Sequence, residues 1–201
     1  MTRFAASRPA RRLTGLAMPP EFYNRDTEIV ARELLGAVLQ HRSAEGVAAG
    51  LIVETEAYLG PHDPACHAAA GLTPRTRTLH GAPGTAYVYF IYGMHWCINA
   101  VTREAGHGSA VLIRAVQPLT GLDLMRRRRP GRPDTELASG PAKLCEALGI
   151  DAALNGARLD RGALRILRGQ PVPDDAVLVT PRIGISKARD WPLRFVATQS
   201  G

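Results

Sequence analysis

Three apolar segments rich in β-branched and aromatic residues fall at 85–92, 94–102 and 109–116, and the links between them are short. Parallel neighbours need a crossover of roughly a dozen or more residues, usually helical, so these segments must pair antiparallel. The pattern extends to both sides. Residues 37–42 and 47–55 read as two strands around the polar turn Ser43–Gly46, and further strands are expected near 163–168, 176–180 and 193–197. Helices punctuate the strands. In DTEIVARELLG, Asp26 is a plausible cap, Ile29, Val30, Leu34 and Leu35 give the apolar stripe, and Gly36 is the stop. Thr120 to Arg129 suits a helix ending in four consecutive arginines, which are either a solvated, exposed end or a contact for DNA. Ser139 is expected to cap GPAKLCEALGI, with Pro141 in its first turn and Gly149 as its stop. The expected fold is mixed α/β (α+β): one domain around a curved antiparallel sheet with a protruding hairpin. Residues 1–17 are small, basic and without period, which predicts a disordered basic arm ahead of a domain over 18–201.

The polar chemistry concentrates between Val53 and Asn99. Glu56 follows the apolar run Leu51, Ile52, Val53, where the end of a strand can project a carboxylate into a cleft. Glu54 shares its strand face if the strand continues. Residues 60–84 are rich in Gly, Pro, His and Arg and predict either a long surface loop or a short helix with turns, a length that is usually functional. After it, Tyr87 and Tyr89 share a face by the two-residue strand period, while Tyr92 precedes the turn glycine Gly93 at an exposed tip. Aromatic side chains on a ledge beside arginines suit stacked bases.

Charge agrees with that reading. A formal net charge of +7 and a pI near 9.9 favour a polyanion as partner, nucleic acid before an anionic membrane surface. Of the 25 Lys and Arg residues only Lys143 and Lys187 are lysines, so a Schiff-base nucleophile has two candidates, both outside the aromatic cluster. Codon bias in a GC-rich genome accounts for an arginine excess equally well. The three cysteines, Cys66, Cys97 and Cys145, have no paired spacing, which argues for a reducing compartment. With no apolar run near the roughly 20 residues of a membrane helix and no signal-peptide pattern, the expectation is an intracellular protein, cytoplasmic at a bacterial nucleoid or nuclear, that is not secreted. Cys66, His67, His80, His95 and Cys97 match none of the usual zinc spacings, so neither metal nor cofactor is expected.

Five motifs in order, ETEAYLGP, TPR, GTxYVYxIYGMxxCxN, VLIRA and SGPAKL, give the chain its closest parallel. Together they resemble the alkyladenine (3-methyladenine) DNA glycosylase family over residues 20–197. The resemblance implies a monofunctional hydrolase that extrudes a damaged purine from double-stranded DNA and cuts its N-glycosidic bond with an activated water. That bond breaks through an oxocarbenium-like state, which a nearby anion stabilises while it activates the water. It implies Glu56 as the general base, with Arg114 and the main-chain carbonyl of Ile183 holding the water. Tyr92 is implied as the wedge that fills the gap in the duplex. The purine would stack between Tyr58 and Tyr89, with His67 at the pocket edge, Leu112 as an apolar wall and Asn99 obstructing the 2-amino group of guanine. Thr73, Arg75, Arg77, Gly140 and Lys143 are plausible phosphate contacts, the last two near a helix N-terminus. His95-Trp96, two extra residues between Asn99 and Arg114, and a shorter link from Ile185 to Pro192 depart from the familiar vertebrate pattern. These bear on substrate range rather than reaction type. The expected partner is a duplex containing damaged purines, engaged by a monomer without membrane contact. The rival classes are a non-catalytic damaged-nucleic-acid-binding module and an RNA-base hydrolase.

Overall fold

The central strand is β2, Gly46–Tyr58, and its 13 residues organise the rest of the sheet. The short polar turn after β1 (Val38–Ser43) folds β2 back in an unbroken antiparallel register from Ser43↔Gly46 to Val38↔Leu51. On its other edge β2 pairs with β5 (Ser109–Thr120) from Ala49↔Thr120 to Tyr58↔Ala110, with register shifts near residues 49 and 52–55. Such irregularities bend a strand and increase its twist, which supplies the curvature expected of the sheet. Where β1 leaves off, β8 (Arg194–Ala197) takes the same edge, pairing Glu54↔Val196 and Glu56↔Arg194.

The meander is as predicted: β3 (Ala86–Ile91), β4 (His95–Thr102) and β5 pair antiparallel in sequence. With β6 (Leu164–Leu167) on β1 and β7 (Val177–Thr180) on β8, one antiparallel sheet holds eight strands among the described residues, which are 15–198. Four α-helices accompany it in this computed structural model: α1 Pro20–Tyr23, α2 Thr27–Glu33, α3 Leu122–Arg128 and α4 Pro141–Leu148. None is long and apolar enough to cross a membrane. Val30, Ala31 and Leu34 of the α2 region join Leu144, Cys145, Ala147 and Leu148 of α4 in the main core, with Ile52, Ile98, Val111 and Ile113 from the strands. Burial of side chains of this size stabilises by roughly 1.5–3 kcal/mol each.

Some local expectations need correction. Ile29 does not belong to the core stripe of α2; it is 45% exposed. Ser139 is not the cap of α4: Gly140 holds that position without a side-chain bond, and Ser139 Oγ lies 3.4 Å from the Glu136 carbonyl. The other end is as read. Gly149 has φ +70, a left-handed conformation that glycine adopts without steric cost, and Ile150 N–H closes the helix on the Cys145 carbonyl at 2.7 Å. Of the arginines at the end of α3, Arg126 and Arg127 are exposed as the solvated reading has it, but three of the four are ion-paired. Arg126 pairs with Asp123 and Asp134, Arg128 with Glu45, and the 8% exposed Arg129 with Glu146. Most of the expected basic arm, residues 1–14, lies outside the described residues, while Ala17 forms an antiparallel bridge with Leu167.

Candidate active site

Strand period places Glu54, Glu56 and Tyr58 on one side of β2, and Arg114 of β5 reaches them from the neighbouring strand. Arg114 Nε donates to Glu54 Oε1 at 2.8 Å, and its Nη1 lies 3.3 Å from Glu56 Oε1. Two further donors converge on Glu56: the Tyr58 hydroxyl on Oε2 at 2.9 Å and the Ile183 backbone N–H on Oε1 at 2.8 Å. Two hydrogen bonds and one ion pair thus meet on a single carboxylate. β2 runs two residues past Glu56 to Tyr58, and the carboxylate does not project into the cleft. It is 0% exposed, beneath a floor formed by its own partners Tyr58, Arg114 and Ile183.

Above that floor is a cavity of about 320 Å³, at the small end of the roughly 300–1,000 Å³ of ligand sites. Tyr58, His67, Tyr89, Asn99 and Leu112 all line it, so the structure brings together residues from β2, the 60–84 loop, β3, β4 and β5. The His67 ring meets Tyr89 edge-on at 4.6 Å between centroids, and its Nδ1 is 3.0 Å from the Tyr87 hydroxyl. Burial first, then the charge of Arg75, holds the His67 imidazole below its ordinary pKa. Burial and then the neighbouring Glu56 charge push the Tyr58 phenol well up, so it remains a donor to that carboxylate. For Arg114, burial opposes the charged form, but Glu56 and Glu54 outweigh it and the pKa rises. The Asn99 amide is pinned by Nδ2 to the Tyr87 carbonyl at 3.1 Å, which leaves its fixed bulk at the cavity wall.

At the mouth stands the tip of the β3–β4 hairpin. Tyr92 and Gly93 both have positive φ, +55 and +69, the signature of a type I′ turn, and Tyr92 is 78% exposed. It also borders the cavity. Arg75 and Arg77 are exposed on the 60–84 loop, where Thr73 and Thr76 knot the chain through reciprocal hydrogen bonds of 2.8 and 3.2 Å. Pro141 and Ala142, the first turn of α4 after Gly140, also line the cavity, whereas Lys143 turns to Glu136 at 3.7 Å.

Two ion pairs support this site, and three of their four members, Asp63, Arg182 and Arg194, carry no mark in the sequence reading. Asp63 and Arg182, both 0% exposed, form a two-pronged ion pair, with 2.9 Å between Oδ1 and Nη2. Asp63 also accepts from the N–H groups of Leu59 and Ala65, so it fixes the turn after Tyr58, while Arg182 precedes Ile183. The Asp-Pro step at 63–64 is a local turn signal. Nothing local marks Arg182, whose partner is 119 residues away. Glu54 and Arg194 are the other pair: Arg194 Nε shares Glu54 Oε1 with Arg114, at 2.6 Å.

Comparison with known proteins agrees with the geometry. The family model described as methylpurine-DNA glycosylase matches residues 21–201. A protein of Carboxydothermus hydrogenoformans named "Putative 3-methyladenine DNA glycosylase" is 48% identical over 181 residues, 90% of this chain and 94% of the relative. Proteins of the same name from Methanoculleus marisnigri and Rhodopseudomonas palustris (strain CGA009) are 49% and 46% identical, covering 90% and 97% of this chain and 94% and 93% of their own lengths.

Proposed function

This chain belongs to the methylpurine-DNA glycosylase family, and we propose from that premise that it is a DNA repair glycosylase acting on duplexes that contain alkylated or deaminated purines. The purine is extruded at a cost of a few kcal/mol in lost stacking, and Tyr92 fills the gap. The base enters between Tyr58 and Tyr89, with His67 at its edge, Leu112 against its apolar side and Asn99 excluding the 2-amino group of guanine. Thr73, Arg75, Arg77, Gly140 and Lys143 hold the flanking phosphates. Glu56 takes a proton from the water that attacks C1′, and its negative charge stabilises the oxocarbenium-like state. Arg114 and the Ile183 carbonyl hold that water. The enzyme works as a monomer inside the cell and needs no metal or cofactor.

The observation that carries this reading is the Glu56 carboxylate, buried directly below an aromatic cavity and held there by Tyr58, Ile183 and Arg114. A module that only bound damaged DNA would have no use for a buried base there. Glu56→Gln keeps the shape and removes the proton acceptor. Single-turnover excision is expected to fall about 10²-fold or more while binding to damaged duplex persists. Comparable rates for variant and parent would take Glu56 out of the reaction.

A further inference from the structure

Each of the two tyrosines that wall the cavity carries an arginine. Arg182 Cζ is 4.7 Å from the Tyr58 ring centroid and Arg75 Cζ is 5.6 Å from that of Tyr89, both inside the reach of about 6 Å for cation–π attraction. Neither arginine lines the cavity that the tyrosines face. The guanidinium groups therefore occupy other sides of the rings, and the cavity side is left for a guest.

A cation is drawn to an aromatic face by the negative charge of its π cloud. A ring already holding one cation has less to offer a second, and the two cations repel through it. Asp63 balances part of the Arg182 charge. Arg75 instead bonds the neutral carbonyl of Phe90 at 3.3 Å, so its charge acts on Tyr89 with less compensation. Beneath the cavity the carboxylates of Glu54, Glu56 and Asp63 are matched by Arg114, Arg182 and Arg194. That floor has no surplus negative charge to attract a cationic base, and Arg75 adds a positive one beside it. His67, an ionisable ring on the cavity wall, has its pKa lowered by burial and then by Arg75.

We infer that Arg182 and Arg75, seated against Tyr58 and Tyr89, tune this cavity toward electrically neutral purine lesions such as hypoxanthine and away from cationic N-methylated purines. The inference rests on the glycosylase reading above. It reverses the simple expectation that electron-rich tyrosine walls favour cationic bases.

The test compares single-turnover excision from two duplexes, one with a single hypoxanthine and one with a single 7-methylguanine. Arg75 is exposed, so Arg75→Gln leaves the core intact, and a lost phosphate contact slows both lesions alike. Only the ratio of the two rates reads the charge. Arg75→Gln is expected to shift that ratio toward 7-methylguanine by about two- to five-fold, the span of an exposed cation–π contact, while Arg75→Lys leaves it in place. The double variant Asp63→Asn/Arg182→Met removes the buried pair as a unit and is expected to shift the ratio the same way. An unchanged ratio in Arg75→Gln with both lesions still excised, or an equal shift in Arg75→Lys, overturns the inference and leaves the glycosylase reading standing. Excision of neither lesion by the unaltered protein overturns both.

Discussion

Tyr92 carries backbone strain that its burial does not offset. A left-handed φ of +55 puts the Cβ of a tyrosine close to the following carbonyl, at a cost of roughly 1–2 kcal/mol, and the 78% exposed ring gains little from burial in return. Strain of this kind persists where the position does something for a ligand. Asparagine tolerates the same conformation far better. Tyr92→Asn is therefore expected to leave the thermal midpoint unchanged or raise it, by the equivalent of up to about 1 kcal/mol, while single-turnover excision falls. A clear drop in midpoint would mean that the ring stabilises the free protein, and parent-like excision would remove its role as a wedge.

At the scale of elements, the site is a floor made by β2 and β5 and two loops pinned to each other by Asp63 and Arg182. Burial alone would raise the Asp63 pKa, but the Arg182 guanidinium and the N–H groups of Leu59 and Ala65 more than reverse this and bring it below its ordinary value of 3.8. A carboxyl with a lowered folded-state pKa contributes stability that is complete above the unfolded value and is lost as pH falls through the folded one. Removing one member of a fully buried pair leaves the other uncompensated, so Asp63→Asn is expected to destabilise by about 3–5 kcal/mol near neutral pH. Urea unfolding as a function of pH checks both consequences: below pH 3.8 the gap between variant and parent should narrow. A constant gap down to strongly acid pH would mean that Asp63 does not titrate with folding. The strands, by contrast, were legible in the sequence because alternation and turn residues are local signals, as at Ser43–Gly46 and Tyr92–Gly93. Ser139 misled because a cap depends on where the chain turns, and it turns at Gly140. The depth of Glu56 was not legible either. It is set by β2 running on to Tyr58 and by the Ile183 N–H, which comes from 127 residues away.

At the scale of the whole molecule, the 25 Lys and Arg residues overstate the cations open to a polyanion, because Arg126, Arg128 and Arg129 are committed to carboxylates of the fold. Arg75, Arg77 and Lys187 remain exposed on the 60–84 and 181–187 loops. The motifs from Glu54 to Asn99 carried most of the site, since one hairpin and one loop bring them to the same cavity. Among the described residues neither lysine, Lys143 or Lys187, lines that cavity, where an amine would have to stand to attack C1′. The most direct test of the whole account is a product assay on an end-labelled duplex with a single hypoxanthine opposite thymine. The account predicts free hypoxanthine in solution and an intact strand that breaks at the lesion only after alkali. Tight binding without base release, or release from the matching RNA and not from DNA, would contradict it.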